Sequence, residues 1–98
     1  MWIGFAEFDY LLGDVHSLKH KRSLVRPVVA ELRRRFSVSA AEVGHLDAHR
    51  RTLIGVGMVA ADRAHVIEVL DNVERFAGGR PEMELLSVRQ RLISASDI

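Results

Sequence analysis

The 98-residue chain contains no cysteine, which excludes disulfides, thiolate metal sites and thiol catalysis. No apolar run approaches the roughly 20 residues that a membrane helix needs, so no spanning segment is expected. The start, MWIGFAEFDY, lacks a basic stretch and carries Glu7 and Asp9 early, so no signal peptide is expected and the cytoplasm is the default compartment. No serine stands in a G-x-S-x-G elbow and no P-loop is present. Aromatic residues make up only 6% of the chain, and the apolar run TLIGVGMVA (residues 52–60) has none. These absences leave no evident reaction and no expected cofactor or metal.

What the chain does have is a concentration of positive charge. Residues 17–36, SLKHKRSLVRPVVAELRRRF, hold seven of the fourteen Lys and Arg residues against one acid, Glu31. The remainder is net acidic, so a formal charge of +1 conceals a dipolar molecule. A concentrated positive patch is the usual electrostatic footprint of a protein that meets phosphate.

Periodicity predicts six elements. Residues 2–12 read as a strand, with Ala6, Phe8, Tyr10 and Leu12 alternating against Glu7, Asp9 and Leu11. Ser17 is the expected N-cap of a helix. On that helix Leu18, Val25, Val28, Val29, Leu32 and Phe36 share one arc about 100° wide. Pro27 would remove one of its hydrogen bonds, so a single element bent at Pro27 is expected. Residues 38–44 and 53–60 read as strands joined by a polar connection at 45–51. Asp62 caps a second helix with Val66, Val69, Leu70, Val73 and Phe76 inward, stopped at Gly78 and Gly79. Residues 83–94 form a last strand, and the tail from residue 95 is expected to fray. Strand, helix, strand, strand, helix, strand in one domain of 98 residues predicts an α+β, ferredoxin-like βαββαβ fold with two helices on one face of a four-stranded antiparallel sheet.

The basic stretch divides by helix dipole. Arg33, Arg34 and Arg35 lie in the last turn, where cations gain about 0.3–1 kcal/mol each and need no partner. Lys19, Lys21 and Arg22 lie near the first turn, where the same interaction opposes them. At about 100° per residue Lys19, Arg22, Arg26 and Arg33 fall in a stripe roughly 60° wide. Lys19, Lys21, Arg22, Arg26 and Arg33 are therefore the candidate phosphate contacts, with His45, Asp47 and Arg50 a candidate second patch.

Other signals are weaker. An RNA-recognition surface of stacked aromatics on the sheet is not supported, since the third strand has none and the first places Glu7 and Asp9 beside Phe5. Arg89 and Arg91 could pair with those acids across the sheet. His16 with His20, and His45, Asp47 and His49, have spacings that could bring ligands together, but the pattern is short and reads as exposed loop histidines. Gly55 to Ala60 match G-x-G-x-x-A in letters only, because the apolar run continues where a helix would have to open. Those glycines more readily let something pack closely on the sheet. An acylphosphatase-type reaction would need an asparagine to orient water, and the only one, Asn72, falls in the second helix.

With these residues in view the chain resembles the YlxP-like family, a bacterial domain family of uncharacterised function. The resemblance rests on S-L-K-x-K-R at Ser17, Leu18, Lys19, Lys21 and Arg22, and on R-F-x-V-S-x-A-E-V from Arg35 to Val43. His45, Asp47 and Gly55 follow, then A-H-V-x-E-V-L-D from Ala64 to Asp71. His49 stands where a large aromatic would be expected. The resemblance implies a ferredoxin-like fold and a tie to the translation machinery. The expectation is thus a small non-catalytic protein that binds RNA or the ribosome through its first helix. The alternative is a homodimeric interaction module whose open sheet face carries Ile3, Phe5, Leu11, Gly55 and Gly57. An enzyme acting on a small anion or through a metal is the remotest reading.

Overall fold

The computed structural model describes all 98 residues. The elements run β1 (Trp2–Leu12), α1 (Leu18–Phe36), β2 (Ser39–Gly44), β3 (Arg51–Ala60), α2 (Arg63–Gly78) and β4 (Met83–Ser94). The four strands form one antiparallel sheet in the order β2-β3-β1-β4, which is the ferredoxin-like arrangement. No helix is long and apolar enough to cross a membrane.

Period-two alternation decides which face of β1 is covered. Gly4, Ala6, Phe8, Tyr10 and Leu12 lie buried beneath the helices, opposite Met58, Val56, Ile54 and Thr52 of β3 for the first four. The odd residues face away. Tyr10 carries its hydroxyl into this interior and donates it to the Ala77 carbonyl at 2.9 Å, tying the centre of the sheet to the end of α2. Gly4 makes the approach of α2 possible, because a Cβ there would stand 2.3 Å from a Val66 methyl and 2.9 Å from Leu70 Cδ1.

α1 runs unbroken through Pro27, with Ser17 accepting the His20 N–H at 3.0 Å as its cap. It ends at Ser37, whose φ of 54° is left-handed. α2 is capped by Asp62, which accepts the Ala64 N–H. The expected elements are found, with β2 starting one residue later and β3 two earlier than the hydropathy pattern implied. Ala95–Asp97 form a 3-10 turn, and the Ala95 N–H donates to the Met1 carbonyl at 2.9 Å, so this segment is tied across to the start of β1.

Candidate nucleic-acid interface

The outer side of α1 presents Lys19, Arg22, Arg26 and Arg33 to solvent, and none of the four is paired with a carboxylate. Arg22, Arg26 and Arg33 border a hollow of about 500 Å³ between α1 and β2, floored by Val25 and Val29. Lys19, Arg22 and Arg26 border an adjoining one of about 520 Å³ on the far side of the same ridge. The Arg33 Nε donates to the Ala40 carbonyl at 3.0 Å, which fixes its guanidinium at the β2 end of the hollow. Arg33 is thus tethered, and the stripe that helical geometry predicts runs along one exposed side of α1.

Lys21 does not belong to it. Its side chain is 2% exposed, and its ammonium donates to the His45 carbonyl at 2.6 Å and the Ala48 carbonyl at 2.8 Å. The third partner is Glu42 Oε2, also at 2.8 Å, whose carboxylate accepts in addition from Thr52 Oγ1 at 2.6 Å. Three ammonium donors meet three acceptors, the arrangement a buried charge requires. Lys21 holds the β2–β3 loop against α1 and is withdrawn from any solvent ligand. A signal for this was present: Leu18, Lys21, Val25, Val28 and Leu32 recur three and four apart, so Lys21 occupies the buried arc.

The second expected patch is dispersed among different partners. Arg50 Nε donates to the Gly13 carbonyl at 2.8 Å and lies 3.3 Å from that of Leu12, so it staples the end of β1. Asp47 is exposed in the turn. His45, with a left-handed φ of 55°, instead turns its ring to the open sheet face, where Nε2 lies 3.4 Å from Asp9 Oδ2. Asp9 is held chiefly by Arg51, whose Nη2 donates to Oδ1 at 2.7 Å. Partial burial pushes the Asp9 carboxyl up, but the Arg51 and His45 hydrogen bonds and charges outweigh it and hold it below the ordinary carboxylate range. Of the expected cross-strand pairs, Arg89 and Glu7 approach to 3.9 Å, whereas Arg91 lies opposite Phe5 and leaves Asp9 to Arg51. No three His, Asp or Glu side chains come together in a group that could hold a metal ion, so the histidine spacings do not converge.

The open face carries Ile3, Phe5 and Leu11 as expected, with Phe5 opposite Gly57. Gly55 is different. A Cβ there would meet both Val43 methyls at 3.0 Å, so what packs closely on this glycine is the neighbouring strand's own side chain.

Two comparisons bear on the family. Residues 3–90 match the family described as "Protein of unknown function (DUF503)". The uncharacterized protein YlxP of Bacillus subtilis (strain 168) is 34% identical over 82 residues, which cover 84% of this chain and 89% of that one. Among solved structures, a mutant form of SnoaB, a cofactor-independent oxygenase from Streptomyces nogalater, superposes with a TM-score of 0.44 at 9% identity. That alignment covers 96% of this chain and 92% of SnoaB.

Proposed function

The chain belongs to the DUF503 family, and we propose that it is a non-catalytic RNA-binding accessory protein of the translation machinery. The observation that supports this reading is the cationic ridge of α1: Lys19, Arg22, Arg26 and Arg33, exposed and unpaired along one side of one helix. Lys19 and Arg22 stand in or next to the first turn, which contains no acidic residue, so their charges oppose the helix dipole and cost stability in the free protein. A polyanion removes that cost. The only carboxylate bordering the two hollows, Glu42, is neutralised by Lys21, which keeps the ridge positive. Such contacts read the phosphate backbone and carry little sequence information.

The test is fluorescence anisotropy of labelled ribosomal RNA fragments at several salt concentrations. Three to four phosphate contacts on a single strand give a slope of about −2 to −3 in log affinity against log salt, hence roughly a 30-fold loss between 50 and 200 mM. A Lys19→Ala, Arg22→Ala, Arg26→Ala variant is expected to bind more weakly with a slope shallower by about 2. Lys21 stays untouched, because its removal would disturb the fold. Absence of wild-type binding, or an unchanged slope in the variant, refutes the reading.

A second reading, homodimerisation through the open sheet face, is favoured by one end of that face. There Ile3 lies between Val59 and Ile93, and Val59 is 62% exposed. A molar mass of two chains by light scattering, reduced to one by Phe5→Glu, is its expected signature. A single-chain mass at high concentration eliminates it.

A further inference from the structure

Toward the C-terminal end of α1, three arginines from three segments meet. Arg35 comes from the last turn of α1, Arg75 from that of α2, and Arg80 from the connection to β4. With Phe36, Asn72 and Phe76 they line a surface hollow of about 520 Å³ that contains no carboxylate. None of the three makes a salt bridge. Glu31 is paired with Arg34 at 2.6 Å, and its charge is also felt by Arg35 and Arg80.

The guanidinium groups are held in place without a carboxylate partner. Arg80 lies over the Phe76 ring at 4.0 Å and donates its Nε to the Phe76 carbonyl at 3.1 Å. Arg35 lies 5.5 Å from the same ring and 5.4 Å from that of Phe36, and the two rings meet edge to face at 5.7 Å. Arg75 donates to the Asn72 side-chain oxygen. Stacked and tethered guanidinium groups lose little further freedom when an anion arrives.

Helix dipoles do not account for the cluster. Each helix C-terminus is equivalent to about half a negative charge, so the two together supply about −1 against three full positive charges. With Glu31 offsetting part of the remainder, the cluster keeps a net positive charge, which suits a phosphoryl group. Arg35 and Arg80 both lie over the Phe76 ring, which is buried, so that ring offers no face to a base.

We infer that Arg35, Arg75 and Arg80 form a phosphate-binding site that reads the phosphoryl group and not what it is attached to. Arg35 is two residues beyond Arg33, the near end of the ridge, but about 160° round the helix from it, so the site faces away from the ridge and does not rest on the RNA reading. Its phosphate comes either from a nucleic-acid backbone or from a small phosphorylated molecule, and the two are separable.

The experiment follows the arginine Nε–Hε NMR signals of the intact protein during titration with inorganic phosphate at constant ionic strength, with chloride as the matched control. Saturable shifts at Arg35, Arg75 and Arg80 are expected with phosphate and not with chloride, weakened at least tenfold by Arg75→Gln. The Lys19→Ala, Arg22→Ala, Arg26→Ala variant should saturate like wild type, whether or not the ridge binds RNA. A short RNA that shifts the cluster signals saturably assigns the phosphate to a backbone, and one that leaves them unmoved while phosphate saturates assigns it to a small molecule. Linear shifts identical in phosphate and chloride, or saturation indifferent to Arg75→Gln, overturn the site.

Discussion

Replacing Lys21 by Met separates the exposed cationic ridge of α1 from the scaffold beneath it. Methionine keeps the length and apolar stem but removes the ammonium that satisfies the His45 and Ala48 carbonyls and neutralises Glu42. Breaking a buried, hydrogen-bonded charge pair by deleting one partner costs about 3–5 kcal/mol. A domain of this size has about 5–15 kcal/mol in total, so the variant should fold but with little reserve. In urea, with a slope of about 1.5 kcal/mol per molar, the midpoint should fall by about 2–3 M. Lys19→Met is the control: its side chain is exposed and unpaired, so its effect should stay within about 0.5 kcal/mol. Adding Glu42→Gln to Lys21→Met should restore about 1 kcal/mol or more, since it removes the orphaned charge but not the two orphaned carbonyls. Circular dichroism in urea measures all four proteins. A Lys21→Met midpoint equal to that of Lys19→Met would refute the assignment of Lys21 to the scaffold.

Further outcomes follow from the interior. Gly4→Ala drives a methyl into Val66 and Leu70, and a loss of about 1–3 kcal/mol is expected in the same denaturation, whereas Gly13→Ala, which meets nothing within 4 Å, should cost far less. Burial pushes the Tyr10 phenol up to about 12, against a partial downward pull from Arg80, from an ordinary value of 10.0. Because the folded value is the higher, this contribution is fully present below pH 10 and is lost as pH rises toward 12. Two pH units correspond to about 3 kcal/mol, which Tyr10→Phe should remove from the alkaline limb of a stability–pH profile. An identical alkaline limb in Tyr10→Phe would contradict this account.

Much of the architecture was legible in the sequence because it depends on local period. A strand repeats every two residues, so Ala6, Phe8, Tyr10 and Leu12 announced the covered face of β1. A helix repeats every 3.6, so Val66, Leu70, Val73 and Phe76 announced that of α2. The same geometry aligned Lys19, Arg22, Arg26 and Arg33. Lys21, a candidate phosphate contact by charge alone, is set apart from them by position, since its spacing from Leu18 and Val25 puts it on the buried arc.

Local period could not show what distant segments bring to one another. The sequence by itself determined the element order, the two apolar helix faces, the charged ridge and the family signature, all properties of residues within a few turns of each other. Only tertiary structure decided that the His45 and Ala48 carbonyls would meet Lys21, that Val43 would cover Gly55, and that Arg51 rather than Arg91 would take Asp9. It also brought Arg35, Arg75 and Arg80 to one hollow from two helix ends and a connection. Each of these juxtapositions follows from placing β1 at the centre of the sheet and both helices on one side. That choice is made by long-range strand pairing and burial, which have no period to read along the chain.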